Sequence, residues 1–271
     1  MPSTMSKLAL RRSLILALLA IGAVASNGQN LMVGVQDSGV LRVGIVARDS
    51  YPFVFEQAGS WSGYELGIAQ EIATELGARV ELSLFPSAEA LRRAVSLAEV
   101  NVGFSKLYRD FGNSETTFQS VPLSRLNLNL VVNRAAYSAL LTPGDLEADL
   151  QRGTVALAHL DHATIERAVH RAYPSAPLDA VAAEADLWSQ VERGAAVAIV
   201  VDEATVERYF NTHPERGIQL RVYPIQATVD VVGMVAWQDE FFWEWINIVI
   251  EGRGYPAVIQ TLVGQYPLGD R

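Results

Sequence analysis

Asp202 follows the apolar run Val197-Ala198-Ile199-Val200-Val201, and a carboxylate directly after a buried strand has two uses. It caps the helix that starts at Glu203, or it pairs with a cation, since an unpaired charge held there is costly. Lys106 and Arg109 stand just past the strand Val100-Asn101-Val102-Gly103-Phe104. Each offers an anion contact if it faces a cleft and a solvated surface charge if it does not. Lys106 is the only lysine after residue 25, in a chain that otherwise uses arginine. His159, Asp161 and His162 are metal-competent side chains, but they straddle a strand end and a helix cap and are not expected to converge. Protonation of a histidine below neutral pH is a second use for them. Glu203 and Glu207 could serve as acids, yet neither has a supporting constellation. The chemistry these residues offer most directly is charge pairing.

These side chains need elements that bring them to one edge. Leu41-Arg42-Val43-Gly44-Ile45 alternates as a half-buried strand and breaks at Asp49-Ser50-Tyr51-Pro52-Phe53. After Trp61-Ser62-Gly63-Tyr64-Glu65, a helix carries Leu66, Ala69, Ile72, Ala73 and Leu76 on one stripe and stops at Gly77. A strand at Val80–Leu84 follows, then a helix capped by Ser87 with Leu91, Ala94, Val95 and Ala98 inward, then the strand Val100–Phe104. This βαβαβ order builds a parallel sheet whose ligands meet the carboxyl ends of the strands, where the aromatic loop sits.

A second unit opens near Leu141. Its pieces are a short helix from Pro143-Gly144-Asp145-Leu146, a buried strand Thr154–Ala158, and a helix capped by Asp161 with Ile165, Ala168, Val169 and Ala172 inward. A helix through Leu187 and Val191 ends at Gly194, and the strand Val197–Val201 leads to Asp202. Leu126–Val132 precedes this unit as an apolar strand. Leu220–Tyr223 and Val229–Val235 follow it, before terminal helices near 240–251 and 256–264. Residues 26–38 read as a polar leader, and 110–120 as a polar loop.

The 271 residues are 50% apolar with a net charge of −9, enough for one large or two modest domains. Lys7, Arg11 and Arg12 precede the apolar run Ser13–Ala25, which ends in Ala23-Val24-Ala25. That is a secretory signal pattern, too short to span a bilayer comfortably, and the Arg11-Arg12 doublet alone does not make a twin-arginine signal. Its removal leaves a more acidic chain, a poor partner for nucleic acid or an anionic membrane. With no cysteine, neither a disulfide, a thiolate metal site nor lipid attachment through a lipobox is available. No cofactor and a monomeric state are expected.

The ordered set Leu41–Ile45, Tyr51-Pro52-Phe53, Gly63-Tyr64-Glu65, Ile72–Gly77, Val100-Asn101-Val102, Ser120-Val121-Pro122, Gly153–Ala156, Ala196–Asp202 and Gly254-Tyr255 spans nearly all of the chain after the signal segment. It resembles the periplasmic solute-binding proteins of ABC importers, family 3, the polar amino-acid binders. The resemblance implies an α/β, type II periplasmic-binding-protein fold: two lobes joined by two crossing strands, closing on a ligand by a hinge. With the signal peptide at 1–25, it places lobe one at 26–129 and 229–271, lobe two at 130–228, and the crossings near Asn127–Val132 and Thr228–Val232. It also implies that Tyr51 and Phe53 cover the ligand, with Phe53 alternatively packing under the loop. Tyr64 is then a contact or a structural ring, Glu65 favours its helix dipole, and Asp202 pairs with a ligand ammonium.

The sequence departs from that pattern in two places. Asn113 stands in Asp110-Phe111-Gly112-Asn113 where amino-acid binders have a carboxylate-gripping arginine. Leu160-Asp161-His162 replaces their Gly-Thr/Ser-Thr turn, so Asp161 puts a negative charge at an anion site. Both argue against standard recognition of an α-amino acid and leave Lys106, Arg109, Asp161 and His162 as candidate contacts. The leading expectation is a non-enzymatic protein that captures a small polar solute for an ABC permease in the membrane. A sensor or partner-binding relative with a degenerate cleft stays open. So does an enzyme like the periplasmic cyclohexadienyl dehydratases, which resemble this family.

Overall fold

The structure is a computed structural model that describes residues 30–113, 116–140, 145–252, 254 and 256–266. The expected signal peptide at 1–25 lies outside the described residues, as does Tyr255. Helix α1 (Leu31–Ser38) precedes strand β1 (Val40–Val46), followed by the hairpin β2 (Phe55–Gln57) and β3 (Ser60–Ser62). Then come α2 (Tyr64–Glu75), β4 (Arg79–Phe85), α3 (Ala88–Ser96) and β5 (Val102–Tyr108). The short β6 (Thr117–Gln119) leads to β7 (Ser124–Asn133) and helices α4 (Arg134–Ser138) and α5 (Leu146–Arg152). The second unit is β8 (Leu157–Leu160), α6 (Ala163–Ala172), β9 (Leu178–Val181), α7 (Glu184–Glu192), β10 (Ala198–Asp202) and α8 (Glu203–Thr212). Strand β11 (Leu220–Ala236) and helices α9 (Glu240–Glu251) and α10 (Ile259–Gln265) complete it.

Nine of the described strands form one sheet in the order β4-β1-β5-β11-β7-β10-β8-β9, with β6 on β11. Two units of the same design sit at its ends. In the first, β1 runs parallel between β4 and β5. In the second, β8 runs parallel between β9 and β10. In each, the first strand is central, the second is at the edge, and the third faces the middle. Antiparallel β7 and β11 fill the middle and pair along their length, from Ser124 against Val231 to Asn133 against Leu220. Their register shifts between Pro224 and Thr228, where proline has no N–H to give the ladder. This is the α/β type II periplasmic-binding-protein fold, two lobes joined by two crossing strands.

The first lobe has its own core, while the core around the second lobe also takes in Phe53, Ile259 and Leu262 of the first. One centres on Leu41, Val43, Ile45, Ile68 and Ile72 with Phe242 and Ile246 of α9, which packs back on the first unit. Another joins Leu157, Ile165, Val169 and Val200 to Leu128 and Leu130 of β7. Gly63 allows the tight entry to α2. It has φ +127°, and a Cβ there would lie 2.2 Å from the Phe53 carbonyl oxygen.

Three expectations need correction. Residues 31–38 are helical rather than leader, because Asn30 accepts a bond from Val33 N–H at one end and Gly39, at φ +65°, closes the other. The strand placed at Thr154–Ala158 runs instead from Leu157 to Leu160, where β9 and β10 supply partners. The two returning strands are one long β11 with an irregular middle.

Candidate functional site

The carboxyl ends of β5 and β10 face each other across the seam between the lobes. Strand β10 ends regularly at Asp202, which caps α8 by accepting the Thr205 N–H at 3.1 Å. Strand β5 does not end regularly. Lys106 adopts φ +51°, and the β5–β11 register shifts opposite it between Val232 and Met234. Its N–H, turned out of the ladder, is accepted by Glu65 Oε2 at 2.8 Å.

Glu65 lies in the first turn of α2 with no exposure. Burial raises its carboxyl to about 8, against smaller lowering effects from the Lys106 N–H, the Lys106 charge and the Ser105 N–H. It is therefore mostly neutral at neutral pH, and its Oε1 has no hydrogen-bond partner among the described residues. The helix dipole expected to favour its charge is outweighed by desolvation.

The bulge carries the Lys106 side chain across the seam. Its Nζ donates to Asp202 Oδ2 at 2.8 Å and to Thr205 Oγ1 at 2.8 Å. Asp202 Oδ2 also accepts from Tyr108 OH at 2.8 Å and from Thr205 Oγ1 at 2.7 Å. The two charged side chains are 9% and 4% exposed, so this ion pair is nearly dry. Burial alone would raise the Asp202 carboxyl; the Lys106 charge and the hydrogen bonds of Lys106, Thr205 and Tyr108 outweigh it and hold the group below the usual range. Burial and the Asp202 charge push the Tyr108 hydroxyl well above its ordinary value, so it stays a donor.

Other seam contacts are weaker. Thr164 Oγ1 donates to the Arg109 carbonyl at 2.7 Å, and Arg167 meets Asp110 at 3.0 Å. Arg208 donates to the Asp49 carbonyl at 3.3 Å. The Lys106–Asp202 bridge divides the seam. A narrow cavity of ≈ 40 Å³ beside it is lined by Tyr51, Lys106, Tyr108, Asp202 and Thr205. Larger hollows open on either side, ≈ 600 Å³ against Trp188, Tyr209 and Arg208, and ≈ 510 Å³ against Ser87, Asp161 and His162. Arg48 lines all three.

Of the residues singled out from the sequence, Tyr51, Lys106 and Asp202 meet at the narrow cavity. Tyr51 is anchored from outside, its hydroxyl donating to the Tyr266 carbonyl at 2.6 Å. Asp161 and His162 line the ≈ 510 Å³ hollow. The α6 cap is His162, not Asp161: its Nδ1 accepts the Thr164 N–H at 3.2 Å, while Asp161 is exposed. Burial lowers the His162 pKa, partly countered by the Asp110 charge.

Phe53, Tyr64 and Arg109 line none of these three spaces. Phe53 is fully buried in the core, edge-on to Tyr64 at 6.4 Å. The Tyr64 hydroxyl donates to the Leu123 carbonyl at 3.3 Å. Arg109 donates to the Ser120 carbonyl at 2.9 Å. Buried His159 holds the Leu160 carbonyl with its Nδ1 at 2.8 Å, and among the described residues no group of three His, Cys, Asp or Glu side chains is placed to hold a metal ion. Sequence reasoning missed Thr205, Tyr108 and Arg48. Thr205, three residues after a capping aspartate, carries a signal of its own; Tyr108 carries one only once β5 is known to extend that far.

No family model matches the chain, and no curated protein matches it. Solved structures do. The P235GK mutant of ArgBP from T. maritima superposes with a TM-score of 0.64 at 20% identity, covering 87% of this chain and 98% of that one. A solute receptor for L-cysteine of Neisseria gonorrhoeae gives 0.65 at 18% identity, with coverages of 88% and 93%. An ancestral amino-acid-binding protein, a precursor of cyclohexadienyl dehydratase, gives 0.65 at 20% identity, with coverages of 87% and 99%. This chain shares its fold with amino-acid solute-binding proteins.

Proposed function

We propose that the protein is an extracytoplasmic solute-binding protein that takes a small polar solute between its lobes, closes by a hinge and delivers it to an ABC permease. The observation that carries this reading is the seam. Charged strand ends from both lobes meet there, and the fold is shared with receptors for amino acids. Closure brings together groups that contact one another only when the lobes are shut, which is how a closed state is selected. The lobes exchange along β7 and β11, with changeovers near residues 129 and 228, and the register shift between Pro224 and Thr228 supports a hinge there. Export rests on the apolar segment Ser13–Ala25, and among the described residues no helix is long and apolar enough to cross a membrane. The protein acts as a monomer and performs no covalent step. Glu203 is engaged by Asn127, and neither it nor Glu207 lines the seam cavities, which speaks against an acid catalyst of the dehydratase kind.

One observation favours a second reading. The space beside Asp202 is only ≈ 40 Å³, below the several hundred Å³ of ordinary ligand sites. A sensor whose seam no longer admits a solute would look the same. Native mass spectrometry of the exported protein separates the two. A co-purified small molecule that raises the melting temperature when added back supports capture. A bare protein that no small solute stabilises supports the sensor.

A further inference from the structure

Both carboxylate oxygens of Asp202 are engaged by the chain itself, and Oδ2 is saturated. Oδ1 accepts the Thr205 N–H, and Oδ2 accepts Lys106, Tyr108 and the Thr205 hydroxyl at 2.7–2.8 Å. An arriving ammonium finds Oδ2 already filled and meets the like charge of Lys106 2.8 Å from that oxygen. The remaining charges around the ≈ 600 Å³ hollow point the other way. Glu184 is paired with Arg208 and accepts from Trp188 at 3.3 Å. Glu192 accepts from Tyr209 and pairs with Arg216 at 3.3 Å. Asp49 accepts the Tyr51 N–H at 3.0 Å. Arg48, by contrast, makes no side-chain hydrogen bond or ion pair among the described residues, yet it faces this hollow and both others. Trp188 and Tyr209, stacked at 3.6 Å, give the same hollow an apolar wall.

We propose that Lys106 is a built-in ammonium that fills the Asp202 site, so the cleft rejects α-amino acids and selects an amine-free carboxylate with an apolar body, held by Arg48. This rests on the solute-binding reading and names its substrate class. Lys106 is the residue that sets specificity, by exclusion. A guanidinium is the natural partner for a carboxylate, with two parallel N–H donors. Discrimination comes from leaving a solute ammonium desolvated beside another cation.

The test is calorimetric titration with matched pairs: 3-phenylpropanoate against L-phenylalanine, and succinate against L-aspartate. For the wild-type protein, a carboxylate is expected to bind at least about tenfold more tightly than its amino acid, which is about 1.4 kcal/mol. Lys106→Met frees Asp202 and is expected to reverse that order. Arg48→Met is expected to weaken the carboxylate by about tenfold or more, without admitting the amino acid. If the wild type prefers the amino acids, the exclusion by Lys106 is overturned while solute capture stands. Should Lys106→Met gain amino acids although the wild type takes no carboxylate, the assignment to Arg48 falls. Binding of no member of either pair to any variant overturns this proposal, while the solute-binding reading is decided separately by whether a co-purified molecule stabilises the protein. The wild-type comparison decides the exclusion even if Lys106→Met does not fold.

Discussion

The two lobes use one strand order but finish their third strands differently. Strand β10 ends cleanly, and its last residue does two jobs at once, capping α8 and holding a cation. Strand β5 reaches the same seam only through a bulge that places Lys106 in the left-handed region, stabilised by a buried acid on the neighbouring helix. Their first helices differ too. The first turn of α2 looks inward, with Glu65 under β5, while that of α6 looks across the seam, with Thr164 donating to the Arg109 carbonyl. A shared topology thus fixes where charged groups can gather, and local departures from it decide which charge arrives. The seam is closed by one lobe's regularity and the other lobe's exception.

Asp202→Ala strikes the regular side and should have the largest effect. It leaves Lys106 buried without a counter-charge and removes the α8 cap, so a loss of about 3–5 kcal/mol in a urea melt is expected. The dry Lys106–Asp202 pair carries this expectation, and an unchanged midpoint would show that the pair is not buried in solution.

Glu65→Gln strikes the irregular side. The substitution keeps an acceptor for the Lys106 N–H and removes the titration. The native Glu65 pKa, about 8, lies above its value in the unfolded chain, so the folded state binds the extra proton. The stabilising contribution of that proton is full below about 4.5 and lost as pH rises through about 8, a change of a few kcal/mol. The variant should flatten this slope; a wild-type stability that rises over the same interval would contradict the assignment. Thr205→Val removes one donor to Asp202 and one acceptor for Lys106, and denaturation should report a loss of about 1–2 kcal/mol. The rim pair Arg167–Asp110 is partly exposed, so Arg167→Ala should cost no more than about 0.5 kcal/mol in the same assay, less still in high salt. A larger loss there would move the closure energy from the centre of the seam to its edge.

What could be read from the sequence was the part encoded locally. The alternating run at Leu41–Ile45, the continuous apolar run at Val197–Val201, the Ser87 cap and the Gly194 stop all give elements where their patterns place them. Asp202 could be picked out because a carboxylate after an apolar strand is anomalous in itself. The bulge at Lys106 could not, since a non-glycine residue at positive φ is paid for by Glu65, 41 positions away. Strand β9 escaped for a similar reason: Leu178-Asp179-Ala180-Val181 has only a weak alternation and is a strand because β8 lies beside it. Phe53 illustrates the converse, since an aromatic in a loop reads the same whether it faces a cleft or the core, and only packing distinguishes them.

The most direct measurement is the acylation rate of Lys106, which can be followed by peptide mass because no other lysine occurs after residue 25. An ammonium locked onto Asp202 across a closed seam should be protected in the wild type and react at least about tenfold faster in Asp202→Asn, where the charge partner is gone. Equal, rapid labelling of both proteins would contradict the account: Lys106 would then be an ordinary surface lysine, and the lobes would not be joined through it.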